Sequence, residues 1–117
     1  MKKDLKCKIQ SFFDDMMAFS VHPEFKFSHQ TKTHWMLTCL VAVNNEGGIS
    51  FEEICSILDR KISSRSTIQR ILDNGLSIGF FTKSPLESDK RLQMYRFSKS
   101  SEKHMVAWGD RQAEIFR

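Results

Sequence analysis

Ser50-Phe51-Glu52-Glu53 is a capping box, and the helix that it opens has room for barely two turns before the next break. In such a box the Ser hydroxyl meets the amide three residues on, and the Glu reaches back. Phe51, Ile54, Ile57 and Leu58 form the apolar face of this helix and are expected to be buried. Arg60-Lys61-Ile62-Ser63 is the turn, and Ser63 or Ser64 caps a second helix. That helix buries Ile68, Ile71 and Leu72 and leaves Arg65, Ser66, Gln69, Arg70 and Asp73 on the opposite face. Gly75 in its interior predicts an end near Asn74, because Gly is a poor helix former. Helices this short are marginal alone. Each must therefore brace the other.

Phe80 to Lys83 and Leu92 to Phe97 read as strands, joined by the polar, proline-containing loop from Ser84 to Arg91. Upstream, Leu5, Ile9, Phe12, Phe13, Met16 and Phe19 recur at three- and four-residue steps, predicting an amphipathic helix from Asp4, its candidate cap, to Ser20. Val21 to Ser28, with Pro23 and Phe25-Lys26-Phe27, predicts an extended connector. A further helix runs from about Thr31 to Asn45, with Trp35, Leu37, Leu40, Val41 and Val43 mostly buried, and Gly47-Gly48 stops it. Ile49 can form a strand of one or two residues. A last helix covers about Ser101 to Phe116, with Met105, Val106, Trp108, Ile115 and Phe116 available for packing. The expected fold is mainly α with a small β-hairpin: a winged helix-turn-helix flanked by N- and C-terminal helices. One domain spans 1–117, with an N-terminal helix and connector over 1–30, the winged core over 31–99 and the C-terminal helix over 100–117.

Charge is sorted along this frame. Residues 60–99 hold nine of the eighteen Lys and Arg but three of the fourteen acids, an excess of +6 that leaves −2 for the rest of the chain. A surface that concentrates positive charge in this way suits a polyanion. A second helix braced by the first can lie in the major groove of DNA. On it, Arg65 and Arg70 can pair with guanine or hold phosphate, Gln69 can pair with adenine, and Ser64, Ser66 and Thr67 can donate to phosphate oxygens. Lys83 adds charge on the hairpin, and Lys90 and Arg91 occupy its tip, where a guanidinium can enter the minor groove.

The segment from Ile49 to Ser98 resembles the MarR family of winged-helix transcriptional regulators. Residues 64 to 73, Ser-Arg-Ser-Thr-Ile-Gln-Arg-Ile-Leu-Asp, look like that family's recognition helix. Gly79-Phe80-Phe81 falls where the family enters its wing, and Asp89-Lys90-Arg91 is similar to its Asp-x-Arg wing signature. The resemblance implies that Arg91 contacts the minor groove and that Asp89 orients it. It also implies a homodimer built through the terminal helices on a palindromic double-stranded DNA site. Family members usually carry two helices after the wing, whereas about twenty residues follow Phe97 here.

Other readings are weaker. The basic stretch can be a solvated face, and the fold can serve protein contact instead of DNA. His29, His34 and Cys39 lie five apart, where helical ligand pairs prefer three or four, so no metal site and no cofactor are expected. Cys7 beside Lys6 and Lys8 has a setting that can activate a thiol, though an inert thiol is the commoner case. Neither a phosphate-binding Gly loop nor a nucleophile elbow is present, so an enzyme is not expected. Three cysteines without a CxxC pair, and no apolar run of membrane length, lead to an expectation of a cytoplasmic protein without membrane contact. The Phe and Met stripe of the first helix can line a pocket for a small-molecule effector, but dimer or core packing is the commoner cause of such a stripe, and nothing else in the sequence supports an effector. The leading expectation is sequence-specific double-stranded DNA binding by a small transcriptional regulator. Adaptor or architectural roles are the alternatives.

Overall fold

Two serines and a pair of aromatic rings organise the centre of the molecule. A computed structural model describes residues 1–58 and 61–117. The elements in order are α1 (Lys3–Phe19), α2 (Pro23–Ser28), α3 (Lys32–Val43), β1 (Ile49–Ser50), α4 (Phe51–Ile57), α5 (Arg65–Ser77), β2 (Phe81–Pro85), β3 (Gln93–Phe97) and α6 (Lys99–Ile115). Arg60, assigned to the turn between α4 and α5, lies outside the described residues. The fold is a winged helix: α3, α4 and α5 with a three-stranded antiparallel sheet in the order β1-β3-β2.

Ser50 ends β1 and caps α4, its Oγ accepting the Glu53 amide at 3.2 Å. The Glu53 carboxylate does reach back, but to the Ser50 hydroxyl at 3.3 Å. Ser64 caps α5 in the same way, accepting the Thr67 amide at 3.2 Å. The strands pair Ile49 with Tyr95 and Ser50 with Met94, while Phe81 faces Phe97 and Pro85 faces Gln93 at the hairpin's far end. Pro is tolerated there because β2 is an edge strand. The core gathers Leu37 and Val41 of α3, Ile54 of α4, Ile68, Ile71 and Leu72 of α5, and Phe80, Phe81, Tyr95 and Phe97 of the hairpin.

The structure departs from several of these expectations. The connector over 21–28 contains α2, since Pro23 sits at a helix N-terminus, where its missing N–H costs nothing and its φ is already suitable. Phe27 thereby enters the core, its ring centroid 4.8 Å from that of Phe80 and 5.8 Å from that of Phe81. Asp4 lies in the first turn of α1 and does not cap it; the N-cap is Lys2, without a side-chain bond. Val43 and Ile57 are exposed where burial was expected, as each falls on the solvent side of the last turn of its helix. Trp35 and Leu40 are half-buried. Gly48, at φ +85°, makes the turn into β1, and a Cβ there would stand 2.8 Å from the Cβ of Met94. Gly47 meets no such restriction.

Gly75 does not end α5, which runs on to Ser77. The reason is tertiary: the Phe81 ring lies directly against the Gly75 backbone, and a Cβ would come within 2.8 Å of Phe81 Cε2 and 3.1 Å of Phe27 Cζ. The missing side chain is what lets α5 settle onto β2. Arg96 also belongs to the fold. Its guanidinium donates to the carbonyls of Gly47 at 2.7 Å and Glu46 at 3.4 Å and to Ser84 Oγ at 2.8 Å, tying the β1 turn to the hairpin.

The terminal helices lie together outside this core. Arg111 and Gln112 of α6 donate to Asp15 of α1 at 2.6 and 3.0 Å, and the Arg111 guanidinium covers the Phe19 ring at 3.7 Å. Among the described residues no helix is long and apolar enough to cross a membrane.

Candidate nucleic-acid interface

The exposed face of α5 follows from its buried one. Ile68, Ile71, Leu72 and Gly75 face the core. At 3.6 residues per turn, the opposite side centres on Ser66, Arg70 and Asp73, with Arg65 and Gln69 on one flank. Ser64 and Ser66 are linked through their hydroxyls at 3.2 Å, and Ser64 donates to Thr67 Oγ1 at 3.0 Å, so these hydroxyls cluster at the helix start. Replacing Ser64 by Ala removes the cap, and we expect a loss of about 1 kcal/mol in urea unfolding.

Arg65 is already engaged. Its two terminal nitrogens hold the Glu52 carboxylate of α4 at 2.6 and 3.1 Å, and its charge lies over the Phe51 ring at 4.9 Å. The hydrogen bond from Arg65 keeps the Glu52 carboxyl below the ordinary range, and Glu52 in turn raises Arg65. Gln69 donates to Asp73 Oδ1 at 3.0 Å. Arg70 differs from both: among the described residues its side chain has no hydrogen bond or ion pair, and it is exposed. Its charge does reach His34. That imidazole is buried at 2 % exposure and hydrogen-bonds Thr31 Oγ1 at 2.7 Å.

Burial pushes the His34 pKa below that of a free imidazole, and Arg70 lowers it further. His29 is lowered as well, again chiefly by burial. A depressed folded-state pKa means that the unfolded chain binds these protons more readily. Stability is then complete above the free-imidazole value of about 6.5 and declines as pH falls through the folded-state values. We expect the urea midpoint to be level above about pH 6.5 and to fall as the pH is lowered below it, and His34→Gln to flatten that fall if it folds.

At the hairpin tip the Asp89 carboxylate accepts three bonds from one residue: Arg91 N at 3.1 Å, Nε at 3.1 Å and Nη2 at 3.2 Å. The Arg91 side-chain bond is the main reason why Asp89 titrates below a free aspartate. The Arg91 side chain remains 92 % exposed, so its guanidinium is steered while staying fully presented to solvent. Lys90 beside it is exposed, as is Lys83, whose ammonium lies 5.9 Å from the Tyr95 ring centroid.

A second arrangement has no counterpart in the sequence reading. His22, Glu24 and His104 bring their donor atoms within 4.8 Å of one another. Burial lowers the His104 pKa, with Glu24 opposing and His22, Arg111 and His29 adding to it. The trio suggested by sequence goes elsewhere. His29 stacks on Phe25 and bonds Ser28, His34 lies in the core, and Cys39 is a half-buried thiol raised by burial. Cys7 is exposed, and all three cysteines are free.

The sequence matches no protein-family model and no curated protein. Solved structures do match in fold. The transcriptional regulator BldR from Sulfolobus solfataricus aligns over 100 % of this chain and 81 % of its own, at TM-score 0.51 and 13 % identity. A mutant of Lactococcus lactis ZitR in apo form aligns over 99 % of this chain and 79 % of its own, at TM-score 0.50 and 12 % identity. At such identities the likeness establishes the winged-helix fold together with its flanking helices.

Proposed function

We propose that this protein binds double-stranded DNA sequence-specifically and acts as a small MarR-like transcriptional regulator. The observation that carries the reading is the pairing of an unengaged Arg70 on the exposed face of α5 with an Arg91 held by Asp89 at the wing tip. In this reading α5 enters the major groove, where Gln69 and Arg70 meet base edges and Ser64, Ser66 and Thr67 meet phosphate. The wing brings Lys83, Lys90 and Arg91 to the neighbouring minor groove and its phosphates. Arg65 reaches phosphate only by exchanging its Glu52 partner, so it contributes less than Arg70. The likeness to BldR agrees with a regulator, and no catalytic role is assigned to any side chain.

The protein acts as a homodimer through α1 and α6. Leu5, Ile9, Phe13 and Met17 form one stripe on α1 that is 43 to 59 % exposed, and Val106 of α6 and Phe116 just after it are also uncovered. A helix with no buried residue of its own gains most from a second copy. Two copies would place two α5 helices on half-sites about one DNA turn apart. Free thiols and a basic DNA-binding surface go with a cytoplasmic setting.

Selection of bound duplexes from a random pool tests this reading. Enrichment of an inverted repeat is the expected result. Retention without enrichment points to architectural binding, and no retention at low salt rejects DNA as the partner in favour of a protein-binding adaptor.

A further inference from the structure

We propose that His22, Glu24 and His104 form a site for a borderline divalent transition-metal ion, with Zn2+ as the reference case. The three residues come from the α1–α2 turn, from α2 and from α6. Nδ1 of His22 lies 3.4 Å and Nδ1 of His104 lies 3.5 Å from one and the same oxygen, Oε2 of Glu24. Both separations exceed the roughly 2.7–3.2 Å of an N–H···O hydrogen bond. They match two edges of a tetrahedron whose metal–ligand bonds are about 2.0–2.1 Å, for which the edge is about 3.4 Å, and all three donor atoms lie within 4.8 Å of one another.

The surroundings fix these groups. The two imidazole centroids lie 4.9 Å apart with their planes 20° from parallel, so the rings sit side by side around the carboxylate. The hydroxyl of Ser100 donates to the other carboxylate oxygen of Glu24, Oε1, which leaves Oε2 turned to the imidazoles. A bond of this kind to the far oxygen is how proteins orient a carboxylate ligand. The His104 and Glu24 side chains are 9 and 18 % exposed, whereas His22 is 47 % exposed and opens the site to solvent. An ion can enter past His22, and water can fill the fourth position. Two imidazoles and one carboxylate suit zinc and its transition-metal neighbours; magnesium and calcium prefer all-oxygen sets. The bound ion would clasp α6 to α2. The site is independent of the DNA-binding reading, because none of its residues belongs to α5 or the wing.

Competition between the full chain and a chromophoric chelator for Zn2+ tests the site, in a Cys7→Ser background as well as in the native sequence. One equivalent bound per chain in both backgrounds, weakened at least about tenfold by His22→Gln and by His104→Gln, is the expected result. The Zn2+-dependent rise in Tm should vanish in the same variants, and Mg2+ should give none. His22 is half-exposed, so His22→Gln keeps the test valid if His104→Gln folds poorly. No saturable binding by the native chain, binding that needs Cys7, or less than tenfold weakening by a folded variant overturns the site.

Discussion

Replacing Arg70 and Arg91 together by Ala removes retention of the selected duplex at moderate salt and leaves the urea midpoint where it was. The two residues act in different grooves on the proposed interface, so their losses should add. A base-reading Arg contributes about 1–3 kcal/mol, and each lost phosphate contact lowers the salt slope by about 0.9. Neither side chain supports the core: Arg70 has no hydrogen bond among the described residues, and Arg91 bonds only Asp89 two positions away. Two companions separate steering from bulk charge. Asp89→Asn makes the protein more positive, and a purely electrostatic view expects tighter binding. If Asp89 instead sets the direction of Arg91, affinity falls despite the added charge. Glu52→Gln should do the reverse and tighten binding, since it releases Arg65 and removes an acid beside α5. Measured affinities that follow net charge alone in all three variants would reject the assigned geometry.

Local chemistry made the frame legible. Ser50 and Ser64 announce their helices because a cap is satisfied within three residues, and both serines accept the expected amides. The hairpin was legible too, since its apolar strands flank a polar loop, and the strand bounds shift by one or two residues. What escaped depends on distant partners. Pro23 reads equally as a breaker and as a first helical residue, and the choice is made by burial of Phe27 among Phe80 and Phe81. Gly75 reads as a stop until Phe81 is seen against it. The engagement of Arg65 by Glu52 joins two helices across a turn, so a list of exposed cations could not separate it from the free Arg70. Arg96 counted toward the basic surface, yet it spends its donors on Gly47, Glu46 and Ser84. The trio of His22, Glu24 and His104 has no local spacing to find, because α6 supplies one member from the far end of the chain.

Substitution of Gly75 by Ala should destabilise the protein even though Ala is the better helix former. Two effects compete at this position. Helix propensity favours Ala by about 1 kcal/mol. Against that, the new Cβ would press on the Phe81 ring and come within 3.1 Å of Phe27 Cζ. Phe81 cannot swing aside: it is 2 % exposed and is flanked by Phe27, Phe80 and Phe97. Overpacking in so tight a setting costs about 1–3 kcal/mol, so collision outweighs propensity and the urea midpoint falls. Gly109 supplies the control. It too lies within a helix, but no atom stands within 4 Å of its would-be Cβ, so Gly109→Ala should stabilise by up to about 1 kcal/mol. Opposite signs for one chemical change would show that packing on β2, and not helix formation, dictates Gly75. Trimming the ring should relieve the clash, so Gly75→Ala combined with Phe81→Leu should lose less than the sum of the two single losses. If Gly75→Ala stabilises as Gly109→Ala does, then α5 does not rest on β2 as described. The rigid pairing of α5 and the wing, on which the proposed simultaneous reading of both grooves depends, would then lose its basis.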